Sequence, residues 1–306
     1  MKRASCVITA ASLLSLSACA SAHVTQREGF IPVEGGRVWY QVVGSGPNTP
    51  LLVVHGGAGV NHFYLKPMAA LAVDRPVIFY DQLGGGNSDR PTDTTLWRMD
   101  RFVDEIARVR EALGLTTVHL YGHSFGATQV AAYMERKPKG VRSVILAGPA
   151  LDPQRFRRDR DSLIRTLPDS VSSVMIRHQQ DQTLDAPEYI RANRIFMEHY
   201  HARRVPWSAD LDSAIALNNA SIAKYIRGGR PLPKHTDHLG EISVPTLFTV
   251  GRYDPSMGAA RYYQSLVPGS ELVVFEQSAH LTMHDEPDRY NAVLRDFLRR
   301  ADQRKP

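Results

Sequence analysis

Cysteine is nearly absent from this chain of 306 residues: there are two, Cys6 and Cys19, both near the N-terminus. Beyond residue 19 there can be no disulfide framework, no thiolate metal site and no cysteine nucleophile. No run reaches the ~18–20 consecutive apolar residues of a membrane-spanning helix. The 37 Lys+Arg exceed the 31 Asp+Glu by six, but they do not gather into a basic stripe interleaved with aromatics, so a nucleic-acid partner is not expected. There is no G-x-x-x-x-G-K-[ST] phosphate cradle and no H-E-x-x-H pair, and the 22 Gly and 19 Pro show no period. What is present is a globular composition, 43% hydrophobic and 22% charged, enough to bury a large core.

The first residues are set apart by their own pattern. Lys2 and Arg3 precede an uncharged apolar and small-residue run from Cys6 to Ala18, which ends in Leu16-Ser17-Ala18-Cys19. This resembles the lipobox of bacterial lipoproteins, and implies cleavage after residue 18, lipid attachment at Cys19 and a membrane-anchored domain facing the periplasm. Ala20 after the cysteine resembles an outer-membrane address. Ala18-Cys19-Ala20 also satisfies a small-x-small cleavage rule, so plain secretion is the alternative. Loss of residues 1–18 would lower the net charge from +6 to +4.

Strands and helices alternate along the remainder. Arg37–Val43, Leu51–Val54, Val77–Tyr80, Val118–Tyr121, Val144–Ala147, Thr246–Val250 and Leu272–Phe275 read as strands, several of them continuous apolar runs buried on both faces. Phe102, Ile106, Val109 and Leu113 recur at helical spacing up to Gly114, and Ala127–Arg136 and Arg289–Leu298 read as further helices. The expected fold is α/β: a mostly parallel sheet with helices on both faces. Residues 150–240 lack strong strand signals and are too long for a bare loop. They read as a helical cap inserted after the sixth core strand, dividing the core into 19–149 and 241–306.

Gly122-His123-Ser124-Phe125-Gly126 matches the G-x-S-x-G nucleophile elbow, and it lies between an apolar strand and a helix as that motif requires. Ser124 is the candidate nucleophile. In the chain order Ser, Asp, His, the residues closing two late strands are Asp254 and His280, candidate orienting acid and general base. The oxyanion hole is expected from the backbone N–H of Phe125, next to the nucleophile, and of Gly57 in His55-Gly56-Gly57-Ala58-Gly59. A second glycine-rich loop, Asp81 to Asp89, reads as a pocket wall beside the elbow. His284 lies four residues after His280, but no third ligand supports a metal site.

Together with Arg90-Pro91, Gly251-Arg252-Tyr253-Asp254 and the cap segment Phe196–His201 to Pro206-Trp207, these motifs resemble the proline iminopeptidase family of α/β-hydrolases over roughly residues 30–300. The resemblance implies the α/β-hydrolase fold and a cofactor-free serine hydrolase that removes an N-terminal residue, often proline, from short peptides or amides. It departs from the family where acidic residues would hold the substrate ammonium. Pro255 follows Asp254, and the late cap reads Ala223-Lys224-Tyr225-Ile226-Arg227. Glu198, Asp237 and Trp207 remain as candidate substrate contacts. An esterase or lactonase using the same triad is the alternative, and a non-catalytic binding lipoprotein is disfavoured by the complete triad. The Arg155, Arg157, Arg158 and Arg160 group reads as a solvated charged face, with attraction of anionic substrates or envelope lipids as the competing role.

Overall fold

A computed structural model describes residues 26–228 and 233–304. Cys6 and Cys19, with the expected signal and lipid attachment, lie outside the described residues. Eight strands form one sheet: β1 (Gln26–Val33), β2 (Gly36–Val43), β3 (Leu51–Val54), β4 (Val77–Tyr80), β5 (Val118–His123), β6 (Val141–Ala147), β7 (Thr246–Gly251) and β8 (Glu271–Phe275). Their spatial order is β1-β2-β4-β3-β5-β6-β7-β8. The β1–β2 and β2–β4 pairs are antiparallel and the rest are parallel.

The central strands are apolar on both faces because both faces are covered. In β3, Leu52 and Val54 enter one buried cluster and Leu51 and Val53 the other. The first cluster is completed by helices α1 (Met99–Ala112) and α2 (Phe125–Glu135), the second by a 3-10 segment, His62–Val73, and the C-terminal helix.

β1 was not legible in the sequence. In Gln-Arg-Glu-Gly-Phe-Ile-Pro-Val only Ile31 is buried, and the strand exists by pairing along its whole length with β2 at the sheet edge. β5 runs two residues further than its apolar stretch, to Gly122 and His123, because both stay paired with β6.

Five helices follow β6: α3 (Pro153–Ile164), α4 (Asp169–Gln180), α5 (Pro187–Tyr200), α6 (Ala209–Ala216) and α7 (Ala220–Gly228). Ile164, Leu167, Met175, Tyr189, Ala192 and Phe196 give α3–α5 a small core of their own. Asp152 caps α3, accepting the Gln154 and Arg155 N–H groups. Three helices remain in the second core segment: α8 (Met257–Ser265), α9 (Thr282–Asp285) and α10 (Pro287–Gln303).

A buried ion pair ties α1 to the loop after β4. Arg101 is 1% exposed and reaches Glu105 at 2.6 Å and the Leu96 carbonyl at 2.6 Å, and Glu105 also accepts the Leu83 N–H at 3.2 Å. Burial raises the Glu105 carboxyl even with the guanidinium beside it. Arg101→Met should therefore strand a buried carboxylate and cost about 3–5 kcal/mol in urea unfolding, and Arg101→Met with Glu105→Gln should recover part of that loss. A single variant within about 0.5 kcal/mol of the unsubstituted chain would show that the pair does not hold this region.

Candidate active site

Ser124 stands between the end of β5 and the start of α2 with φ 54° and ψ −115°, a conformation that costs a non-glycine residue of order 1–3 kcal/mol. The turn is closed by contact. A Cβ on Gly122 would run into the Gly126 carbonyl and the Ala127 backbone, and one on Gly126 into the Val54 and His55 carbonyls. The spacing of glycines about the serine is thus a packing requirement between β5, α2 and the end of β3. Phe125 is the first residue of α2, where a backbone N–H has no partner within the helix.

Asp254 and His280 meet on the neighbouring loops. His280 Nδ1 lies 3.0 Å from each Asp254 carboxylate oxygen, and both residues are buried. Nδ1–H donates to the carboxylate, leaving Nε2 of the neutral ring as the basic nitrogen. Burial pushes Asp254 upward, but His280 beside it and the Ser256 N–H at 2.6 Å outweigh that and hold the carboxyl below its ordinary range. The serine turn and this pair share a wall. Ser124 N–H donates to the Ala147 carbonyl, and a Cβ on the next residue, Gly148 (φ +48°), would meet Asp254 Oδ2 and His280 Nδ1 at 2.9 Å.

His123, the residue before the serine, links three segments. Its Nε2 lies 3.0 Å from the His280 carbonyl and must donate to it, so Nδ1 is the acceptor. Tyr64 OH, 2.9 Å away, donates to Nδ1 and itself accepts the Gly56 N–H at 2.6 Å. Gly56 N–H is engaged in that contact, and Gly57 follows it with φ +60°, turned by a conformation that suits glycine. Neither His123 nor Tyr64 carried a sequence signal beyond the variable position inside G-x-S-x-G.

The other expected residues sort themselves by their contacts. Asp81 is buried within the core, accepting from the His62 N–H and ring and from the Asn87 N–H, so its loop is held by structure rather than chemistry. His284 Nε2 lies 2.6 Å from the Tyr64 carbonyl, and among the described residues no group of three or more His, Cys, Asp or Glu is placed to hold a metal. Glu198 is turned to the cap surface, paired with Arg194 at 2.7 Å, and Asp237 is paired with Lys234 at 2.9 Å, also at the surface. Trp207 is buried, donating through Nε1 to the Ala202 carbonyl with the Arg194 guanidinium over its ring at 3.5 Å. Among the described contacts none of the three touches Ser124, Asp254 or His280, so their expected role in substrate contact finds no support in the geometry.

The cap residues that do approach the pair are Phe156 and His201, with rings centred 6.0 and 5.2 Å from that of His280. A cavity of about 450 Å³ opens beside Asp254, lined by Asp159, Thr166, Tyr200, Tyr253 and Met257 among others.

A serine on a strand-to-helix elbow, a His–Asp pair after the last strands and a largely parallel sheet define an α/β-hydrolase, and the model of that fold matches residues 49–287. A proline iminopeptidase of Heyndrickxia coagulans is 42% identical over 284 residues, covering 89% of this chain and 98% of the relative. One from Saccharolobus solfataricus is 29% identical, covering 90% and 93%. The crystal structure of the Mycobacterium smegmatis proline iminopeptidase superposes with a TM-score of 0.80 at 27% identity, covering 90% of this chain and 99% of that one. The chain belongs to the proline iminopeptidase family.

The environment of His123 has a thermodynamic consequence. Burial, then the charge of His280, lowers it from 6.5 to about 3, so the folded ring is neutral where the unfolded one takes up a proton. Its contribution is complete above about pH 6.5 and declines as pH falls toward 3, by about 1.4 kcal/mol per pH unit. Stability in urea should be lower at pH 5 than at pH 7 by about 2 kcal/mol at most from this group. Equal stability at the two pH values would contradict the neutral, tautomer-fixed ring.

Proposed function

We propose that the protein is a serine aminopeptidase that releases N-terminal proline, or another small residue, from short peptides and amides through an acyl-enzyme on Ser124. The observation that carries this is the Asp254–His280 pair, with the imidazole held in the tautomer that a general base needs, set against Gly148, whose preceding residue Ala147 accepts the N–H of a serine kept on a strained elbow. The names of the relatives supply the substrate class. Ser124 Oγ attacks the scissile carbonyl while His280 Nε2 takes its proton. The same proton then passes to the departing amine, and water repeats the sequence on the ester. The Gly57 and Phe125 N–H groups face the developing oxyanion. Asp254 keeps Nδ1–H in place and stabilises the imidazolium. The test is hydrolysis of prolyl anilide beside short acyl esters. Turnover of the anilide should disappear in Ser124→Ala, and Asp254→Asn should fold normally yet lose about 10⁴ in kcat. Anilide turnover that persists in Ser124→Ala, or wild-type activity on esters alone, would overturn the reading.

We further propose that the chain is exported and anchored through Cys19, on the strength of Leu16-Ser17-Ala18-Cys19 and the lack of any other cysteine after it. Cys19→Ser should move the protein from the membrane fraction to a soluble or unprocessed form. Unchanged processing and fractionation would favour plain secretion.

A further inference from the structure

The arginines of α3 are not equivalent. Arg157 and Arg158 are exposed, and Arg155 is engaged with the Gly258 carbonyl and with Asp159. Arg160 differs. It is 22% exposed along its side chain, lies 4.9 Å over the Phe196 ring, and has as its nearest acidic neighbour only the exposed Asp161 at 3.8 Å. Phe156, one turn earlier on the same helix face, covers His280. From Phe196 the path to the catalytic centre is short: its ring is 5.7 Å from that of His201, and His201 is 5.2 Å from His280. His201 Nδ1 is buried with no hydrogen-bond partner among the described residues. Burial, then the charges of His280 and Arg160, lowers this imidazole to about 3, so the cation on this side of the site is Arg160.

The position of His280 orients a substrate. The group it protonates is the departing amine, so the second residue of the substrate, which leaves with that amine, lies on the His280 side of the scissile bond and beneath Phe156 and His201. In a dipeptide that residue ends in a carboxylate less than one residue span, about 3.8 Å, beyond its nitrogen. A half-buried guanidinium on an aromatic ring, with an unused hydrogen-bond complement, suits a carboxylate, which it can grip with two parallel N–H bonds.

We propose that Arg160, with His201 beside it, is a carboxylate-binding subsite for the residue that follows the N-terminal one and departs as the amine, and that the preferred substrates are dipeptides with a free C-terminus rather than amides or longer chains. This rests on the aminopeptidase reading and adds the leaving-side specificity to it. Asp159, next in sequence, lines the cavity beside Asp254, where its charge is offset by Arg155 at 3.5 Å rather than by Arg160.

The experiment compares kcat/KM for prolyl-alanine and prolyl-alanine amide. The two share the acyl group and the scissile bond, so any general loss cancels in their ratio. The unsubstituted enzyme should favour the free acid at least tenfold, mainly through KM, and the preference should weaken in high salt. Arg160→Met should bring the ratio below about three, and Arg160→Lys should keep part of it, which also serves if the Met variant does not fold. A ratio near one in the unsubstituted enzyme, or an undiminished ratio in both variants, would overturn the subsite while leaving the aminopeptidase reading intact. Cleavage of neither prolyl substrate, with esters still cleaved, would remove the aminopeptidase reading and the subsite with it.

Discussion

The turn at Ser124 is the constraint on which the rest of the site depends. A side chain can be held at φ 54° only where its surroundings leave it no other place. Here the confinement comes from three directions. The end of β3 presses on Gly126, the first turn of α2 presses on Gly122, and β6 takes the Ser124 N–H. Each contact belongs to an element buried in the sheet or against it. The strain is therefore sustained by the hydrophobic core rather than by the loop that carries it.

The hydrogen bonds through His123 extend this confinement outward. One neutral imidazole, fixed in a single tautomer, joins the backbone of His280 to Tyr64, and Tyr64 holds the glycine loop at Gly56. His280, the Ser124 turn and the loop expected to bind the oxyanion are thus held to one another as well as to the scaffold. Preorganised dipoles in a buried site stabilise developing charge without reorganising, and that advantage depends on such cross-bracing. A chain of neutral donors and acceptors also avoids the cost of burying another charge beside the Asp254–His280 pair.

The part of this arrangement readable from sequence is the part with a local signature. The apolar runs at Leu51–Val54, Val77–Tyr80 and Thr246–Val250 are strands wherever they occur, because both their faces must be covered. Ser124, Asp254 and His280 could be picked out because each ends or follows such a run in the order a hydrolase requires. β1 had no such mark, since seven of its eight residues are partly or fully exposed and its identity comes from its neighbour. Gly148, Tyr64 and His201 act across distances in sequence that no spacing rule spans. The expectation for Glu198 finds no support in the geometry for the converse reason. A carboxylate in a cap segment similar to the family's own has the right chemistry, but the preceding turn of its helix supplies Arg194, and an i, i+4 pair at the surface satisfies it.

In the proposed reading, the helices between β6 and β7 carry the remaining choice of substrate. The core elements close around Ser124, Asp254 and His280 and leave little to vary, whereas α3 and α5 have a small core of their own and meet His280 through a few side chains. Those side chains are two rings and, behind them, one guanidinium that is only half-solvated. Charge placed there acts through less water than charge at the surface, so one arginine facing inward outweighs the surrounding arginines that face solvent. Specificity in such a site follows from which face of α3 a charge occupies, and a net charge counted over the cap would miss it.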